Sequence, residues 1–113
     1  MSRLEKIEPE TWREFVAAPV SVLMLGKSDC AQCAQWTEEL EQFLAGDEEF
    51  ARVRFGKVLL DQRGFTDLKR EQRWIADVDA LPFNQIFVNG ERSKAFAGGG
   101  IERLKTRLRS LGG

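Results

Sequence analysis

Cys30 and Cys33 are the only cysteines of the chain, separated by Ala31-Gln32 in a sequence that contains no histidine. The pair follows an apolar run, Val20 to Leu25, and precedes apolar residues at helical spacing: Trp36, Leu40, Phe43 and Leu44. If a helix begins at or near Cys30, the CxxC spacing brings both sulfurs to its first turn. Their Cα atoms then fall within the ~4.4–6.8 Å that a disulfide tolerates, and the pair can open and close reversibly. A helix N-terminus carries partial positive charge and unpaired N–H groups, and both favour a thiolate at the first cysteine. Cys30 is therefore the candidate nucleophile and Cys33 the candidate resolving thiol.

Three uses of such a pair stay open at the level of residue types. In disulfide exchange, Cys30 attacks a foreign disulfide and Cys33 resolves the mixed disulfide. As a metal clip, two thiolates cannot complete a tetrahedral site, so the rest would come from carboxylates or from a second subunit in a dimeric four-thiolate site. The third use is inert packing. No bound organic cofactor is implied, and no metal is expected within one chain.

The setting favours exchange. With 113 residues, 42% hydrophobic and 31% charged, the chain reads as one globular domain, residues 1–113. A net charge of −1 gives no steering toward nucleic acid or an acidic membrane surface. The basic series Arg103, Lys105, Arg107 and Arg109 reads as the solvated face of a last helix. Met1 to Glu10 is charged and lacks an apolar signal-like region, and no apolar run approaches the ~20 residues that span a bilayer. The expected location is cytoplasmic, where a lone cysteine pair is catalytic, redox-sensing or metal-binding rather than a permanent staple.

The elements that must position the thiols follow from pattern. Residues 9–17 read as a short helix with Pro9 in its first turn and Trp12, Phe15 and Val16 on one face. Val20–Leu25, ended by Gly26, suits a strand buried on both faces. The helix after Cys30 ends near Gly46, with Asp29 as its expected cap. Arg54–Asp61 reads as a second inner strand, parallel to the first because one helix joins them in a right-handed crossover. The thiols then sit at the C-terminal edge of the sheet, where open α/β folds place their chemistry. Phe65, Leu68, Ile75 and Val78 predict a long third helix, with Trp74 beside that face. Asn84–Val88 and Glu91–Ala97 flank Asn89-Gly90, a strong hairpin signal, so the sheet turns antiparallel. Gly98-Gly99-Gly100 breaks the chain before a closing helix marked by Ile101, Leu104, Leu108 and Leu111. Trp12, Trp36 and Trp74 read as packing residues rather than a binding platform.

In this order the chain resembles the thioredoxin-like superfamily over nearly its whole length. The resemblance rests on the apolar strand leading into Cys30-Ala31-Gln32-Cys33, on Phe55 to Asp61 with Lys57 and Asp61 inside it, on Leu81-Pro82, and on Phe87-Val88-Asn89-Gly90-Glu91 followed by Gly98. It implies an α/β thioredoxin fold, a central mixed sheet of four to five strands flanked by helices. It also implies a cis peptide bond at Pro82 opposite the thiols, with Leu81, Phe83 and Gly98 as substrate-binding residues and Lys57 and Pro82 as supporting ones. A partly desolvated Lys57 behind the thiols would favour the Cys30 thiolate and could serve as the base for Cys33.

The departures are as informative. Ser28-Asp29 stands where thioredoxins proper carry a tryptophan before the first cysteine, and Ala31-Gln32 replaces their Gly-Pro. Met24 occupies the place of the family's buried aspartate and cannot accept a proton. The segment between Asp61 and Pro82 is several residues longer, offering a surface of its own for a partner. The implied activity is reduction or exchange of disulfides in protein partners, with electrons from a separate reductase or dithiol protein. The alternative is a thioredoxin-fold binding module or chaperone-like adaptor with weak or no redox catalysis.

Overall fold

A computed structural model describes residues 3–111. Strand β1, Leu4–Lys6, leads into helix α1, Trp12–Val16, and then into β2, Val20–Gly26. Helix α2, Ala31–Gly46, crosses to β3, Arg54–Leu59, and helix α3, Thr66–Glu71, is followed by a 3-10 turn, Arg73–Asp77. Strands β4, Phe83–Val88, and β5, Glu91–Ala97, form a hairpin that ends in helix α4, Ile101–Ser110. The five strands make one mixed sheet in the order β1-β3-β2-β4-β5. β1 and β2 run parallel to β3, whereas β4 is antiparallel to both β2 and β5. This is the thioredoxin fold expected from sequence.

Strand β2 lies at the centre, buried on both faces as its unbroken apolar run requires. Leu23 and Leu25 join Trp12, Phe15, Val58, Phe65 and Leu68 in a layer covered by α1 and α3. Val22 and Met24 face the other way and join Trp36, Leu40, Leu44, Phe55 and Ile86 under α2 and α4. Gly56 of β3 permits a close approach on the first side, because a Cβ there would stand 2.7 Å from both Ile7 Cδ1 and Phe15 Cζ. The hairpin turns at Asn89 (φ 52°) and Gly90 (φ 84°), the two positive φ values that a two-residue type I′ turn demands.

Three boundaries differ from expectation. Helix α1 starts only at Trp12, because Thr11 Oγ1 accepts the Glu8 N–H at 3.0 Å and closes a turn that holds Pro9 outside the helix. The long third helix is broken at Gln72 (φ −102°, ψ 72°). Trp74 donates its indole N–H to Gln72 Oε1 at 2.8 Å and lies against Phe83 and Phe87, ring centroids 6.0 and 6.3 Å away. The break thus lets Trp74 and Ile75 reach the same apolar layer. Asp29 is not the cap of α2; that place is taken by Cys30 itself.

Candidate active site

Cys30 stands at the junction of loop and helix with extended backbone (φ −108°, ψ 107°), and its Sγ accepts the Cys33 N–H at 3.1 Å. One of the orphan N–H groups of the helix start is thereby turned onto sulfur, which is why a neighbouring carboxylate is not needed as a cap. Cys30 and Cys33 are joined in a disulfide with a Cα separation of 5.2 Å. Their environments differ: Cys30 is partly exposed, whereas Cys33 is 1% exposed. An incoming molecule can reach the first sulfur and not the second.

The loop before Cys30 is tied to β3. Gly26 pairs with Leu59, so two residues further along the parallel strands Ser28 meets Asp61. The Asp61 carboxylate accepts the Ser28 N–H at 3.1 Å and also the Ser28 hydroxyl. The Ser28 hydroxyl chiefly, against the opposing effect of burial and with lesser help from the Ser28 and Asp61 N–H groups and the Lys27 charge, holds the Asp61 carboxyl below its ordinary 3.8. Sequence reasoning placed Asp61 in the strand and missed this partner. The available signal was a hydroxyl and a carboxylate just past the ends of two adjacent parallel strands.

Pro82 is buried behind a cis Leu81–Pro82 bond, and its carbonyl accepts the Gly98 N–H at 2.7 Å. Gly98 adopts φ 81°, a conformation that favours glycine. Among the described residues no hydrogen bond involves the main chain of Leu81. Phe83 is turned to the far side of the sheet and packs with Trp74. Cys30, Cys33, Leu81, Pro82 and Gly98 therefore lie at one edge of the sheet, and the Phe83 ring belongs to the packing layer.

Behind the disulfide the space is apolar. A Cβ on Gly26 would stand 3.2 Å from Cys33 Sγ and 3.5 Å from Met24 Sδ, so the buried Met24 thioether shares that space with Cys33. Lys57 pairs with Met24 across β2 and β3, is half-buried, and lines a cavity of about 190 Å³ with Leu4, Thr37, Glu41 and Gln62. Thr37 closes the connection, its hydroxyl donating to the Cys33 carbonyl at 2.8 Å.

Two clefts open along the segment that carries the pair, one reaching Gln32 and the other Lys27. One, about 430 Å³, is lined by Gln32, Gln35, Trp36, Glu39, Pro82 and Gly98 to Gly100. The other, about 500 Å³, lies between Lys27, Asp61 and the segment reaching Leu81, with Ile75, Val78 and Asp79 in its wall. The longer connection between Asp61 and Pro82 thus shapes the second cleft. Among the described residues no three Cys, Asp or Glu side chains converge as a metal site. Nor is any described helix long and apolar enough to cross a membrane.

No protein-family model and no curated protein matches the sequence. Solved structures do. A Malassezia sympodialis thioredoxin is similar over 97% of this chain and 91% of its own, with a TM-score of 0.77 and 17% identity. Thioredoxin O2 from Arabidopsis thaliana in its oxidised state covers 97% of this chain and 95% of its own, with a TM-score of 0.75 and 19% identity. Thioredoxin from Trypanosoma brucei brucei covers 96% of this chain and 89% of its own, with a TM-score of 0.74 and 21% identity. The chain is a divergent member of the thioredoxin fold, with its CxxC pair at the C-terminal edge of the sheet.

Proposed function

We propose that this chain is a thiol–disulfide oxidoreductase acting on disulfides of protein partners. The observation that carries the reading is the asymmetry of the pair: a reachable Cys30 at a helix N-terminus, closed onto a buried Cys33, at the edge of the sheet that also carries Pro82. In the reduced form the Cys30 thiolate attacks one sulfur of a substrate disulfide, forming the Cys30–substrate bond and releasing the other sulfur as a thiolate. Cys33 then gives its proton to the substrate thiolate already released and attacks Cys30 Sγ, which forms the intramolecular disulfide and releases the second substrate thiolate. Two electrons pass from the dithiol to the substrate. A separate reductase or dithiol protein in a reducing, cytoplasmic compartment returns them.

Support for binding an extended partner comes from the unengaged main chain of Leu81, which can pair with a substrate strand. The second reading, a binding module or adaptor, is favoured by Met24, since the buried face of Cys33 holds a thioether rather than an acid. Reduction of insulin disulfides by the wild type and by Cys30→Ser separates the two. Turnover by the wild type alone is expected; equal rates for both proteins would put the adaptor ahead.

A further inference from the structure

Asn84 lies two residues beyond Pro82 and is 1% exposed, within the apolar layer under α2. Its Oδ1 accepts the indole N–H of Trp36 at 2.9 Å, and its Nδ2 donates to the Gly98 carbonyl at 2.9 Å and to the Phe96 carbonyl at 3.3 Å. Both amide hydrogens and the oxygen are used, so the burial penalty of the group is offset. The network has three anchors. Trp36 follows Cys33 by three positions on the same face of α2, Asn84 follows Pro82 on β4, and Gly98 donates its own N–H to the Pro82 carbonyl at 2.7 Å. Gly99 completes the closure, because a Cβ there would stand 3.0 Å from Trp36 Cε3.

Trp36, Pro82, Gly98 and Gly99 are also walls of the 430 Å³ cleft. An apolar side chain at position 84 would fill the same core volume, but only directional hydrogen bonds set the spacing of helix, proline and glycine loop. We infer that Asn84 is a positioning residue that holds the Pro82–Gly98 wall at a set distance from the thiol helix, so that an extended segment of a protein disulfide fits beside Cys30. The inference rests on the exchange activity proposed above. It predicts a division by substrate: a protein disulfide, which lies along the wall, depends on Asn84. A small disulfide, which needs only Cys30, does not.

The test compares insulin with hydroxyethyl disulfide as substrates for wild type, Asn84→Leu and Gly99→Ala. Asn84→Leu removes the network at nearly constant volume, and Gly99→Ala pushes the loop off Trp36 while leaving every hydrogen-bonding group in place. Each is expected to raise KM for insulin about tenfold, with kcat and the rate on hydroxyethyl disulfide within about twofold of wild type. Adding Trp36→Phe to Asn84→Leu is expected to cost little more, since members of one network are not additive. An unchanged KM in the variants, or equal losses on both substrates, overturns the role of Asn84. A wild type that turns over neither disulfide overturns the exchange activity itself and this role with it.

Discussion

At the scale of residues, the hydrogen bond described at the sulfurs comes from the main chain, the Cys33 N–H onto Cys30 Sγ. Asp61 acts at one remove, through Ser28 and the loop that ends in Cys30. Asp61→Asn weakens the acceptor without changing its shape, so the expected outcome is a several-fold slower attack of reduced Cys30 on disulfides with an almost unchanged Tm. Stopped-flow exchange kinetics beside a thermal melt checks this. The pH dependence follows from the sign of the shift. The native Asp61 carboxyl lies below its ordinary 3.8, so the hold on Ser28 is fully present above that value and is lost as pH falls through the lower native one. Lys57 faces the cavity under the first turns of α2, beside the buried Met24. If its charge favours the sulfur anions, Lys57→Met slows alkylation of reduced Cys30 by iodoacetamide and lengthens the life of a mixed disulfide, each several-fold. Unchanged rates on both counts reduce Lys57 to a lysine that merely fills its cavity.

At the scale of elements, the parallel pairing of β2 with β3 is what brings Ser28 beside Asp61, and the hairpin is what returns Gly98 to Pro82. Both pairings were legible because each has a strong local cause: a doubly buried apolar run joined by one helix, and Asn89-Gly90 between two extended runs. The break at Gln72 was not legible, since Phe65, Leu68 and Ile75 keep helical spacing across it and only tertiary packing of Trp74 decides otherwise. Asn84 was equally silent: its partners, Trp36 and Gly98, lie 48 and 14 positions away. The cap of α2 was misread because Asp29 satisfies the usual preference, whereas a sulfur one residue later does the work. Gly56 offers a check on the strand packing that is independent of the chemistry. A methyl group there would press on Ile7 and Phe15 at 2.7 Å, and overpacking of a close core costs about 1–3 kcal/mol. Gly56→Ala is expected to lower the urea midpoint accordingly while the alkylation rate of reduced Cys30 stays as in the wild type.

At the scale of the whole molecule, the disulfide closes a loop between residues only three apart, whereas the two apolar layers join nearly every element. Cross-linking so short a loop removes little entropy from the unfolded chain, about 2 kcal/mol by the loop-closure relation. Burial of the large side chains Trp36, Phe15, Phe55, Phe65 and Phe87 is distributed over both faces of the sheet and does not pass through the sulfurs. The fold should therefore survive loss of the bond, as a reversible couple requires. Reduction with dithiothreitol is expected to leave the far-ultraviolet circular dichroism intact and to lower Tm by about 8–16 °C, from about 2 kcal/mol at about 4–8 °C per kcal/mol in domains slightly smaller than this one. The Cys30→Ser, Cys33→Ser double variant should melt near the reduced protein, because it removes the same covalent constraint and leaves both layers in place. Unfolding on reduction would mean that the pair is a staple, and the oxidised and reduced forms could no longer be two working states of one enzyme.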